Sequence, residues 1–144
     1  MSFSPFQFTS PLLTNAQFTM FRQQRAEDDV SIHLCRKIIH SEAKENQAIV
    51  ELRVQLNKTE EQIREDACFT AEVTMQSMFT WPLEMAQEQV EALLTKNAPA
   101  MLLSYIRPIV AQLTGASPLQ AFHIPFVNMN ELTNTSASEN QECR

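Results

Sequence analysis

From Asp28 to Trp81 apolar and polar residues alternate at period two, the pattern of strands that pack one face and leave the other polar. Three strands are legible there. The first places Val30, Ile32, Leu34 and Ile38 on one face and Ser31, His33, Cys35 and Lys37 on the other. In the second, Ala48, Val50, Leu52, Val54 and Leu56 alternate with Ile49, Glu51, Arg53, Gln55 and Asn57; in the third, Phe69, Ala71, Val73, Met75 and Phe79 alternate with Thr70, Glu72, Thr74, Gln76 and Met78. The lengths of the charged connectors SEAKEN and NKTEEQIRED permit antiparallel hairpins without a crossover helix, so a meander is the economical topology. A weaker alternation over Leu12 to Phe21 predicts a fourth strand.

After Trp81-Pro82 the period becomes helical. Met85, Ala86, Val90, Leu93 and Leu94 share one face, opposite Glu84, Gln87, Glu88 and Glu91. Asn97-Ala-Pro99 reads as the start of a second helix with proline in its first turn, on which Leu102, Ile106, Ile109 and Leu113 fall in line beside Leu103 and Val110. That helix is apolar over much of its circumference, so it requires a neighbour besides the sheet, such as a second copy of the protein. Pro108 removes one backbone hydrogen bond inside it and predicts a kink, and Gly115 followed by Pro118 predicts its end. The strip PLQAFHIPFVNMNEL is extended and apolar; within it, Asn128 three residues ahead of Glu131 predicts a last short helix. Residues 1–133 thus read as a single domain, and residues 134–144, nearly devoid of apolar side chains, as a disordered tail.

Charge narrows the partners. Seventeen acidic against eleven basic side chains leave a net charge of −6, the wrong sign for nucleic acid or an anionic membrane and better suited to a basic or unfolded polypeptide. Gly115 is the single glycine of the 144 residues, which excludes the glycine-rich phosphate loops, and no nucleotide or other cofactor is expected. The N-terminus has no basic region followed by an apolar run, and no segment reaches the roughly 18 apolar residues of a membrane span, so the chain reads as cytoplasmic and its three cysteines as reduced thiols.

Catalytic spacing is not apparent. His33 and Cys35, two apart on one strand, face the same way as a metal or nucleophile pair would, but a polar sheet face explains them more simply. His123 lies among apolar residues as a packing histidine does, and Glu60, Glu61, Glu65 and Asp66 read as a solvated loop. No catalytic residue, metal site or enzyme activity is therefore assigned. The surplus is apolar instead: seven methionines and nine phenylalanines, side chains that adapt to many partner shapes.

Several segments in order resemble the SecB protein-export chaperone family: Glu72-Val73 and Met78-Phe79, then NAPAMLLSYIRPIVAQL from Asn97 to Leu113 with Pro99, Tyr105 and Arg107, then ASPLQAFHIPFVNMNEL from Ala116 to Leu132 with the Val127-Asn128 pair. The resemblance implies an α+β fold, a four-stranded antiparallel sheet with one long helix, assembled as a homotetramer, a dimer of dimers. It implies an ATP-independent holdase that keeps precursor proteins unfolded for export. Carried over by position, its client groove falls on Met20, Phe21, Ile32, Leu34, Phe122, Ile124, Phe126 and Leu132. Glu72 matches an acid that faces the motor SecA in the family, but Thr70 stands at the accompanying leucine position, and the first-strand acids fall on Asn15 and Thr19. A chaperone dedicated to an antitoxin, known among SecB-like relatives, is the alternative, beside an oligomeric scaffold without clients.

Overall fold

A computed structural model describes residues 1–136. In chain order they form β1 (Gln7–Phe8), β2 (Leu12–Met20), β3 (Ile32–His40), β4 (Gln47–Leu56), β5 (Phe69–Thr80), α1 (Gln87–Ala92), a π-helical turn (Leu93–Asn97), α2 (Ala98–Gly115), a 3-10 turn (Met129–Glu131) and β6 (Thr133–Ser136). β3, β4 and β5 are the antiparallel meander that period two predicts, in registers such as Leu34 beside Val54 and Leu52 beside Met75. The fourth strand, β2, does not extend the meander next to β3. It crosses to the far edge and pairs with β5, from Leu12 beside Gln76 to Met20 beside Phe69, with a bulge between Leu13 and Asn15.

The expected four-stranded antiparallel sheet is thus β2 to β5, with two additions. β1 continues the β2 edge along the end of β5, where Phe6 stacks on Phe79 and Trp81 with ring centroids 5.4 and 6.0 Å apart. β6 lies parallel to β3 on the opposite edge, with Cys35 beside Thr133 and Ile38 beside Ser136. Residues 134–136, assigned to the tail by composition, are therefore the rest of β6, and residues 137–144 of that expected tail lie outside the described residues.

One sheet face makes the core. Val50, Leu52, Val54, Leu56 and Val73 are almost fully buried there against Leu102, Leu103, Ile106 and Val110 of α2. Each such side chain contributes about 1.5–3 kcal/mol of burial, so this seam dominates the stability of the fold. The apolar series of β3 is interrupted on the same face by Arg36, only 6 % exposed, whose guanidinium donates to the carbonyl oxygen of Thr95. That carbonyl is available because Pro99, four residues on, has no N–H to offer it. Desolvation pushes the Arg36 pKa down, and the nearby Glu91 carboxylate opposes the shift.

The expected break between helices at Asn97 is not there. Asn97 itself has helical backbone angles and makes no side-chain cap, so α1, the π turn and α2 run on continuously, with the extra residue of the π turn absorbing the proline. α2 also continues through Pro108, which stands on its exposed side. Gly115 ends the helix without a left-handed residue: its role is close approach, since a Cβ there would lie 3.3 Å from that of Ala121. Hydroxyls secure the reversal. Thr114 Oγ1 donates to the Val110 carbonyl and accepts from the Phe122 N–H, while Ser117 Oγ donates to the Thr114 carbonyl and accepts from the Leu119 N–H. Cys68 is a free, buried thiol whose pKa burial raises.

Candidate polypeptide-binding grooves

The strip that follows α2 is the element from which the site is built. Leu119 and Ile124 turn inward and join the core, so the residues between and beyond them are held at its surface. Phe122 is half-buried, Val127 and Leu132 likewise, and Phe126 stands 95 % exposed. Arg107 on α2 fixes this end of the strip: its Nη2 donates to the Pro125 carbonyl at 2.8 Å, and its guanidinium lies 5.1 Å from the centre of the Phe126 ring. The short helix expected after Asn128 is the 3-10 turn, capped by the Asn128 side chain, which accepts from the Asn130 N–H.

A cavity opens at each end of the strip. The wider one, about 650 Å³, has Met20, Pro118 and Leu119 as its apolar floor and Gln23, Gln24, Arg25, Ala26 and Gln120 as its wall. The narrower, about 180 Å³, lies between Ile32, His33 and Leu34 of β3 and Val127, Asn128, Glu131 and Leu132. Of the groove residues expected from the sequence, Met20 belongs to the first, and Ile32, Leu34 and Leu132 to the second. Phe21 is exposed next to Met20, its N–H bonded to the Cys68 carbonyl. Ile124 is different in kind: at 4 % exposure its side chain is core and supports the strip from beneath.

Sequence reasoning overlooked the polar frame of the wider cavity. Arg22 donates from Nη2 and Nη1 to both carboxylate oxygens of Asp28, at 2.7 and 2.8 Å, and from Nη2 and Nε to the carbonyl and carboxylate of Asp66. Hydrogen bonds from Arg22, then from the Arg25 N–H, hold the Asp28 carboxyl well below the usual carboxylate range, and the same pair raises the Arg22 guanidinium. The alternation of charge in RQQRAEDD was the available signal, but the partner Asp66 is 44 residues away.

The opposite sheet face is polar, and its hydrogen bonds gather on Glu72. Glu72 accepts from Asn15 Nδ2 and from Gln55 Nε2, the latter at 2.8 Å, and pairs with Lys58 Nζ at 3.4 Å, while Arg53 pairs with Glu60. His33 and Cys35 sit opposite Gln55 and Arg53 in the register. Among the described residues no group of three or more His, Cys, Asp or Glu side chains could hold a metal ion, and no helix is long and apolar enough to cross a membrane.

A largely antiparallel sheet with a long helix on one face and clefts along its flank is a SecB-like fold, the fold of a chaperone class. The chain belongs to the SecB family, described as preprotein translocase subunit SecB, which it matches over residues 12–140. Among solved structures it is similar to the SecB-like chaperone of Mycobacterium tuberculosis in complex with a ChAD peptide from the HigA1 antitoxin, at 18 % identity and a TM-score of 0.68, covering 86 % of this chain and 88 % of that one. A protein of unknown function from Streptococcus agalactiae aligns over 84 % of this chain and 97 % of its own, at 10 % identity and a TM-score of 0.47. No curated protein sequence matches the chain.

Proposed function

We propose that this protein is an ATP-independent holdase that binds unfolded polypeptides along the two cavities and the strip between them. The observation that carries this reading is the strip itself: Phe126 fully presented and Phe122 half-presented, locked in place by Leu119 and Ile124 in the core. Large apolar side chains held rigidly at a surface are what a binding site for apolar segments requires. Each client side chain docked there contributes up to about 1.5–3 kcal/mol, so several contacts along one chain give affinity without sequence specificity. The working form is a homotetramer, a dimer of dimers, in the cytoplasm. Support for assembly comes from α2, where Tyr105 is exposed and Met101, Ile109 and Leu113 are only partly covered by the core they pack on, and from exposed Leu12 and Leu13 on the sheet edge.

The test is suppression of aggregation of an unfolded model protein without ATP. Wild type should protect, and the double variant Phe122→Asp, Phe126→Asp should not, with the oligomer intact by light scattering. Failure of wild type to protect at any ratio overturns the reading, and loss of the oligomer in the variant assigns these rings to an interface instead.

Protein export is the first of two client assignments, with precursors passed to SecA through the face that bears Glu72. The second, a chaperone dedicated to an antitoxin, is favoured by the ion pair of Glu72 with Lys58 and its hydrogen bonds from Asn15 and Gln55, which engage this carboxylate within the chain. Titration of the tetramer with SecA and, separately, with antitoxin peptides distinguishes them.

A further inference from the structure

The wall of the wider cavity is irregular chain, residues 23–26, with no helix or strand to stiffen it. It is nevertheless tied at almost every residue, and the ties converge on one side chain. All five N–H donors of the Arg22 guanidinium are engaged: Nε on Asp66 Oδ1 at 3.2 Å, Nη1 on the Gln23 carbonyl at 2.9 Å and on Asp28, Nη2 on Asp28 and on the Asp66 carbonyl at 2.7 Å. Asp28, so oriented, accepts from the Arg25 N–H at 2.7 Å, and Arg25 reaches Asp66 at 3.2 Å. Across the cavity mouth, Gln24 Oε1 accepts from the Gln120 N–H at 3.1 Å, joining the wall to the strip.

We propose that Arg22 is a positioning residue for client binding: it holds residues 23–26 in place over Met20 and Leu119, so that the wider cavity exists before a client arrives. This rests on the holdase reading above. A preformed wall spares the client the cost of ordering a loop, and that saving appears as affinity. The planar fork is essential to the device, since lysine, a single point of charge, cannot span two carboxylates and two carbonyls at once.

The experiment compares Arg22→Gln and Arg22→Lys with Asp29→Asn, which removes the ion pair to Arg64 in the same pair of loops but touches no residue of the wall. The probe is reduced, carboxymethylated α-lactalbumin, with association and dissociation followed separately and amide hydrogen exchange read by mass spectrometry. Both Arg22 variants are expected to bind about tenfold more weakly, chiefly through faster dissociation. Exchange should accelerate in residues 22–28 and at Gln120 while β4 and β5 keep their protection and the oligomer is unchanged; Asp29→Asn should stay within about twofold of wild type. Affinity within about twofold of wild type in Arg22→Gln overturns the proposal, as does a loss of affinity accompanied by exposure of β4 and β5, which would make Arg22 a residue of general stability. Wild type that binds no probe instead removes the holdase reading on which the role depends.

Discussion

The two cavities at the ends of the strip are walled by opposite means. The narrower one has a strand for a wall: Ile32 and Leu34 are held by the β3–β4 ladder, and its geometry follows from backbone pairing. The wider one has a loop for a wall, and its geometry follows from side-chain hydrogen bonds of Arg22, to Asp28 within the same loop and to Asp66 44 residues away. A strand wall costs nothing extra once the sheet exists but cannot be widened without breaking the ladder. A loop wall can enclose more than three times the volume, about 650 against 180 Å³, at the cost of a dedicated set of polar ties.

The difference can be broken at its shared support. Ile124→Ala removes the core anchor that lies between the cavities, and stability should fall by about 2–5 kcal/mol in urea unfolding, with client binding impaired at both ends. Leu132→Asp strikes one end alone. It should lower the client's contact at the β3 cleft by up to about 1.5–3 kcal/mol in affinity while a probe attached beside Met20 reports unchanged docking.

Acid sharpens the comparison from the other side, with a smaller effect because the groups are partly solvated. The Asp28 carboxyl has a folded pKa below its unfolded value of about 3.8, so its contribution to stability is present above that value and is lost as pH falls towards the folded one. Urea midpoints measured from neutral pH down through that range should therefore fall less steeply for Asp28→Asn than for wild type. Exchange at residues 23–26 should rise before exchange at Ile32 and Leu34. The smallest change is expected from Gly115→Ala, where a gain in helix propensity opposes a 3.3 Å contact with exposed Ala121: thermal unfolding should register a net change under about 1 kcal/mol.

Much of the sheet was legible because period two is a local signal that every burial decision along β3, β4 and β5 reinforces. Even Arg36 was visible as a gap in the β3 series Val30, Ile32, Leu34, Ile38, although nothing local could say that its partner would be a carbonyl released by a proline 63 residues later. β1 and β6 were not legible, being short segments whose pairing rests on the neighbouring strand. Within the strip, periodicity did not separate Ile124, which enters the core, from Phe126, which leaves it, since both are apolar and two residues apart in an irregular segment.

Alternation, helical period and the order of motifs from Asn97 to Leu132 determined by themselves the α+β class, the strands of the meander, the long helix and the resemblance to the SecB family. Those features depend on which side chains avoid water, and composition along the chain records that directly. Only the tertiary structure decided that β2 crosses to β5, that helix runs unbroken through Asn97, and that Arg22 gathers Asp28 and Asp66 into the frame of a cavity. The unbroken helix turns on a local π turn that accommodates Pro99, but the β2 pairing and the Arg22–Asp66 contact turn on directed hydrogen bonds between residues far apart in sequence, and a directed bond exists only once both partners have been placed.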